Sequence, residues 1–209
     1  KQPMTIDGVT IIFNGEIYNN FELRRSLIKE EIFFNSSHSD TESILRGYLK
    51  YGTEVFQKLE GMFAFAIYDS RINKLLICRD YIGIKTLYYH PIDNGIVFAS
   101  EVKAIIASSF YKPYINKLQL PNFFFNRSVY GGETMFLNVF KLLPGHFIEY
   151  DLEKFCFKIN SFTPKYLKED FKKEKLENLL SKEIRSHLQA DCDVSLALSG
   201  GIDSSLITS

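Results

Sequence analysis

The 209 residues are 45% apolar and 24% charged, an ordinary globular composition with length enough for one sizeable core and the start of a second. Lys plus Arg (25) balance Asp plus Glu (25), so no net field draws the chain to nucleic acid or to an anionic membrane surface. No apolar run approaches the roughly 20 residues that span a bilayer, no secretory leader is legible, and three cysteines without C-x-x-C spacing argue against a disulfide framework or a structural zinc site. A cytoplasmic protein is the expectation.

In chain order, the text opens at Lys1 without a Met and enters a strand pattern almost at once, so its beginning reads as cut. Short β-branched and aromatic runs follow: Val9 to Phe13, Met62 to Tyr68, Lys74 to Arg79, Thr86 to His90, Ile96 to Ser100 and His146 to Tyr150. Loops such as "DSRIN" and "PIDNG" suit hairpins between them, which predicts layered antiparallel sheet. Two helices interrupt the strands early. In the second, Ile44, Leu45, Tyr48 and Leu49 recur at helical spacing, with Ser39 or Asp40 as the cap and Gly52 past the end. "NFFFN" (Asn122 to Asn126) reads as the core face of a helix, and Arg79–Asp80 as a local ion pair at a strand end.

After Asp151 the texture changes. Leu176, Leu180, Ile184 and Leu188 stand four apart with charges between them, an amphipathic helix, followed by the buried-strand run "VSLAL" and then two glycines. A helix, a strand, a Gly-rich turn and a second helix open an α/β unit, so a domain boundary is expected between residues 158 and 168, dividing 1–160 from 161–209.

Two stretches carry chemistry. In "LALSGGIDSS" the adjacent Gly200 and Gly201 let the backbone approach a ligand closely. The following N–H groups and serine hydroxyls suit an anion such as pyrophosphate. No Lys follows the glycines, so this is not the G-x-x-x-x-G-K-[ST] loop. An ordinary glycine turn with Asp203 or Ser204 as helix cap is the plainer reading. In "FNGEIYNNFELR" the Asn14-Gly15 pair alone reads as a hairpin turn, yet an Asn amide beside a Gly N–H also makes a donor pair for an oxyanion.

Both stretches occur in one chain with "HSDTESI", "LEGMFAFAIYD", "CRDYIGIKTLYY", "VFASEVKAI" and "LPGHFIEYD" between them. Together these words resemble the glutamine-dependent asparagine synthetases, class II amidotransferases, over almost the whole chain. The resemblance implies an α+β fold: an N-terminal-nucleophile type four-layer α/β/β/α sandwich that releases ammonia from glutamine, followed by the beginning of an α/β ATP pyrophosphatase domain. The implied substrates are glutamine, aspartate and ATP with Mg²⁺, and the products asparagine, AMP and pyrophosphate. Neither nucleic acid nor a membrane is an expected partner, and a homodimer is compatible with the resemblance.

By the same resemblance, Asn14 and the Gly15 N–H form the oxyanion hole, Glu16 follows in the glutamine pocket, and Asp40 grips the glutamine α-amino group. Leu198 (through its backbone), Ser199, Gly200, Gly201, Asp203, Ser204 and Ser205 form the pyrophosphate loop, with Asp203 the one candidate metal ligand. Family members begin with a nucleophilic cysteine and carry an "RHRGPD" word, neither of which stands in these residues. Cys78, Cys156 and Cys192 all read as structural. The chain is therefore expected to be an internal segment of a longer enzyme, to hydrolyse little glutamine alone, and to be poorly soluble through its exposed second unit. Thr86 replaces the family's usual proline, and the four histidines, His38 near Asp40 included, show no metal spacing. Two rivals stay open: transfer of ammonia to another adenylated carboxylate, as in cell-surface polysaccharide synthesis, and a truncated product that binds without catalysis.

Overall fold

The computed structural model describes residues 2–164, 176–188 and 193–208. They fall into two compact units, 1–167 and 168–209. In the first, strands β1 (Met4–Ile6), β2 (Val9–Ile17), β3 (Gly61–Asp69), β4 (Lys74–Arg79), β8 (His146–Asp151) and β9 (Cys156–Ser161) form a six-stranded antiparallel sheet in the order β1-β2-β3-β4-β8-β9. Strands β5 (Tyr88–Ile92), β6 (Gly95–Ala99) and β7 (Phe140–Lys141) form a second, in the order β6-β5-β7. Helices α1 (Asn20–Lys29), α2 (Asp40–Tyr51), α3 (Val102–Ala107) and α4 (Leu120–Asn126) complete the unit.

Side-chain alternation along the strands builds the layers. Val9, Ile11, Ile17, Phe63, Phe65, Ile67, Leu76 and Cys78 share one face of the large sheet and pack with Leu23 and Leu27 of α1 and Ile44 and Leu45 of α2. Their neighbours Ala64, Ala66, Ile77, Ile148 and Tyr150 face the other way, onto Tyr89 of the small sheet and onto Leu87 and Leu142, which flank its strands β5 and β7. The small sheet's outer face packs Val97 and Ala99 with Val102, Ile105 and Ile106 of α3. The result is helix, sheet, sheet, helix, the four layers expected. Phe56, in the 3₁₀ turn after α2, is fully buried and meets Phe65 and Phe147 edge-on at ring distances of 5.3 and 5.1 Å.

Four local expectations give way. Asn14-Gly15 is no turn: β2 continues through both to Ile17, because β3 runs beside it to Gly61. Cys156 is exposed on the edge strand β9, whereas Cys78 is fully buried. Arg79 and Asp80, both buried, do not pair with each other. Arg79 donates to the Lys85, Leu142 and Gly83 carbonyls, each at 2.6 Å. Asp80 accepts from the Gly83, Ile84, Lys85 and Phe63 N–H groups at 2.5 to 3.3 Å. Finally, α4 buries none of its residues: Phe124 and Phe125 are 76% and 88% exposed, so "NFFFN" is a surface patch. Thr86 uses the hydroxyl a proline would lack, donating to the Ser100 carbonyl at 2.7 Å.

In the second unit, α5 (Leu176–His187) and α6 (Ile202–Thr208) flank the glycine turn. Residues 193–199 form no strand and are exposed, contrary to the "VSLAL" expectation. A strand exists by pairing, and no strand is described between residues 162 and 208 to pair with it. Cys192 lies outside the described residues.

Candidate active site

Backbone N–H and C=O groups of successive strand residues point to opposite edges, and this parity decides what β2 offers. Strand β1 pairs only as far as Met4 with Ile11. Beyond it, the Gln2 side-chain amide takes the place of a neighbouring strand for Phe13, accepting from its N–H at 2.6 Å and donating to its carbonyl at 2.8 Å. Phe13 therefore faces away from β3, and so do Gly15 and Ile17. On the β3 side, Phe63, which lies opposite Gly15, turns its own N–H and carbonyl to Asp80. The Gly15 N–H thus points to an edge that no strand among the described residues covers.

The crossing of β2 and β3 is unusually close at this point. Gly15 (φ +154°) could not carry a side chain, since a Cβ there would lie 2.0 Å from the Met62 carbonyl oxygen. Gly61 (φ +157°) is its counterpart, with a Cβ position 2.1 Å from the Glu16 carbonyl oxygen. Asn14 and the half-buried Glu16 share the face that looks toward the small sheet. Asn14 lines a cleft of about 210 Å³ between the sheets, bounded by Ile12, Ala64, Ala66, Leu87 and Phe98. The two alanines of β3 leave the room beside it.

Asp40 arrives at the same edge from the helix layer. The cap of α2 is Ser39, whose hydroxyl accepts from the Glu42 N–H at 3.3 Å. Asp40 is the first residue of the helix itself, and its carboxylate accepts from the Thr41 N–H at 2.7 Å. Burial pushes its carboxyl above the usual range, opposed by hydrogen bonds from the Thr41 and Ile17 N–H groups. The influence of the Ile17 N–H on this carboxylate puts Asp40 near the outward edge of β2, two residues from Gly15. Gly15 and Asp40 thus lie along one edge of β2, Asp40 from the helix layer, while the side chains of Asn14 and Glu16 lie on the strand's other face, toward the small sheet. His38 is an exposed loop residue whose carbonyl accepts from Asn20.

Sequence reasoning missed the residues that frame this edge. Asn19 ties the end of β2 to the start of β3, donating to the Lys58 carbonyl at 2.8 Å and accepting from the Glu60 N–H at 3.0 Å. Asn20 and Arg24 of α1 are buried beneath the loop that leads to Asp40. The repeated "NN" of "NGEIYNN" was the available signal, since two adjacent amides at a strand-to-helix junction have backbone groups to satisfy.

In the second unit, Gly200 turns at φ +78° and the Ser199 hydroxyl lies 3.0 Å from that of Ser204 and accepts from the Gly201 N–H at 3.4 Å. Ser204 also donates to the Gly201 carbonyl. Leu198, Asp203 and Ser205 are exposed around this turn.

A family model described as a glutamine amidotransferase domain matches residues 1–162. The chain belongs to this family. A second model, asparagine synthase, matches residues 175–209 of the same amidotransferase chain. Among curated proteins, asparagine synthetase [glutamine-hydrolyzing] 1 of Bacillus subtilis is 37% identical across 100% of this chain and 34% of its own length. Asparagine synthetase [glutamine-hydrolyzing] 3 of the same organism is 31% identical across 100% and 35%. The chain thus spans about a third of the length of these relatives. Among solved structures, the glutamine phosphoribosylpyrophosphate amidotransferase of B. subtilis superposes with a TM-score of 0.53 and 19% identity over 78% of this chain and 32% of that one, a likeness of fold.

Proposed function

We propose that these residues belong to a glutamine-dependent asparagine synthetase, with the edge of β2 as the seat of glutamine hydrolysis. The observation that carries this reading is the outward parity of Gly15, whose N–H lies on an edge that no strand among the described residues covers, with the Asp40 carboxylate near the Ile17 end of the same edge. Glutamine laid along this edge meets a cationic-group acceptor in Asp40 and donors in Asn14 and Gly15. When a thiolate attacks the side-chain amide carbon, the carbonyl oxygen takes the negative charge that the Asn14 amide and Gly15 N–H are poised to accept. Ammonia leaves, and water releases glutamate from the thioester. Cys78 does not serve as that thiol, because burial raises its pKa well above the ordinary value, and Cys156 sits on β9 at the far side of the sheet. The family resemblance assigns the thiol to an amino-terminal cysteine ahead of these residues, and a polypeptide of residues 1–209 is expected to bind glutamine without turning it over.

Ammonia then attacks an aspartate activated as its adenylate, with ATP held at Leu198, Ser199, Gly200, Gly201, Asp203, Ser204 and Ser205. Among the described residues no group of three or more metal-ligating side chains occurs, and Asp203 is the residue of this turn that could meet the magnesium carried by ATP. Magnesium enters as the companion of ATP.

The test is Asn14→Ala in the full-length protein. Glutamine-dependent kcat is expected to fall about 10²-fold while ammonia-dependent asparagine formation is unchanged. A full glutamine-dependent rate would sink the reading.

A further inference from the structure

The approach to Asp40 is governed from α1. The loop 35–39 before α2 presents three carbonyls inward, and side chains of α1 take all three. Arg24 donates to the Ser36 carbonyl and, at 3.2 Å, to that of Ser39, while the Asn20 amide donates to the His38 carbonyl at 2.8 Å. Both residues are 94% buried. The Ser43 hydroxyl links them, donating to the Asn20 side-chain oxygen at 2.5 Å and lying 3.3 Å from the Arg24 guanidinium, which also rests 3.9 Å over the Phe34 ring. From the other side, the Glu42 carboxylate accepts from the Asn35 and Ser36 N–H groups at 2.6 and 2.8 Å.

Buried polar groups are costly unless satisfied, and a buried guanidinium spending its donors on one loop fixes that loop's place. Because α1 follows β2 after only two residues, the same rigid piece carries the Gly15 N–H and sets the start of α2. We propose that Asn20, Arg24 and Ser43 are positioning residues for substrate selection: they fix the separation between the Gly15 edge and the Asp40 carboxylate, and so the recognition of the glutamine α-ammonium. This rests on the glutamine-site reading above.

The experiment compares hydrolysis of glutamine with that of its analogue lacking the α-amino group (4-carbamoylbutanoate) by the full-length protein, as the ratio of kcat/KM values. Asp40→Asn is expected to lower the ratio at least about tenfold, since it removes a charge-assisted contact. Arg24→Lys, which keeps the charge and loses the planar fork, is expected to lower it about three- to tenfold, chiefly through the KM for glutamine. Ser43→Ala, the gentler change, should shift it in the same direction even if Arg24→Lys folds poorly. A merely structural role would depress both substrates alike. If Asp40→Asn changes the ratio and both network variants leave it untouched, the positioning inference is overturned. If Asp40→Asn itself leaves the ratio untouched, the glutamine-site reading fails first and the inference with it.

Discussion

At the scale of single residues, Asp40 is a group kept at a cost. It sits in the first turn of α2, where the helix dipole favours a negative charge, yet burial wins and its carboxyl is held above its ordinary value. The sign follows from linkage. A carboxyl raised in the folded state costs nothing when protonated in both states, and withdraws stability as pH climbs from its ordinary value through its folded one. Asp40→Asn should therefore raise Tm at neutral pH, with the gain vanishing near pH 3, roughly the lower edge of the carboxylate range. Thermal unfolding at the two pH values checks this, and a lower Tm at neutral pH would contradict it. Glu42 behaves oppositely. Burial pushes it up, but the Ser36 hydroxyl, the Asn35 and Ser36 N–H groups and Arg46 outweigh this and hold it low. Its contribution is present above the ordinary carboxylate range and lost as pH falls through the depressed value.

At the scale of elements, the crossing of β2 and β3 is the most exacting feature of the fold. Gly61→Ala would put a methyl 2.1 Å from the Glu16 carbonyl oxygen, which backbone alone must relieve. We expect a loss of about 3 kcal/mol, a fall in Tm of roughly 6 to 12 °C, with glutamine turnover reduced as well; an unchanged Tm would refute the crossing. Six strands were legible because short β-branched and aromatic runs bounded by turn residues mark them, continuous where both faces are buried, as at β3 and β4. Strands β1, β7 and β9 were not, being short or exposed at an edge, where no periodic burial imprints the sequence. Asn14-Gly15 shows the limit sharply. The pair that favours a hairpin turn is drawn into a strand by pairing along all of β3, so tertiary context overrides local preference. Of the site, the family words located Asn14, Gly15, Glu16 and Asp40. The network from Asn20 and Arg24 stayed hidden because side chains satisfying loop carbonyls leave no periodicity. The aromatic run of α4 likewise reads as core in sequence, since composition alone does not say which helices find a partner.

At the scale of the whole molecule, the chain is two compact units, and the two proposed sites fall one in each. The glutamine edge lies wholly within residues 1–167, and the glycine turn within residues 168–209. In the full-length protein, Asp203→Ala is expected to abolish ATP-dependent pyrophosphate release while leaving glutaminase activity within about twofold, the additivity of distant sites. Equal loss of both would sink the two-site reading. Among the described residues, no helix is long and apolar enough to cross a membrane.

Among the described residues β1 pairs only as far as Met4, which leaves part of the β2 edge without a strand. A bare strand edge is ordinarily a hazard, because its row of unpaired groups templates another chain. Among the described residues Gln2 satisfies Phe13 and Asp40 lies near the Ile17 N–H, so Gly15 is the outward-facing residue between them. One residue's N–H and carbonyl can hold a small ligand but are too short a run to seed a ladder. Within these residues, the two side chains that frame the proposed site also blunt this strand edge.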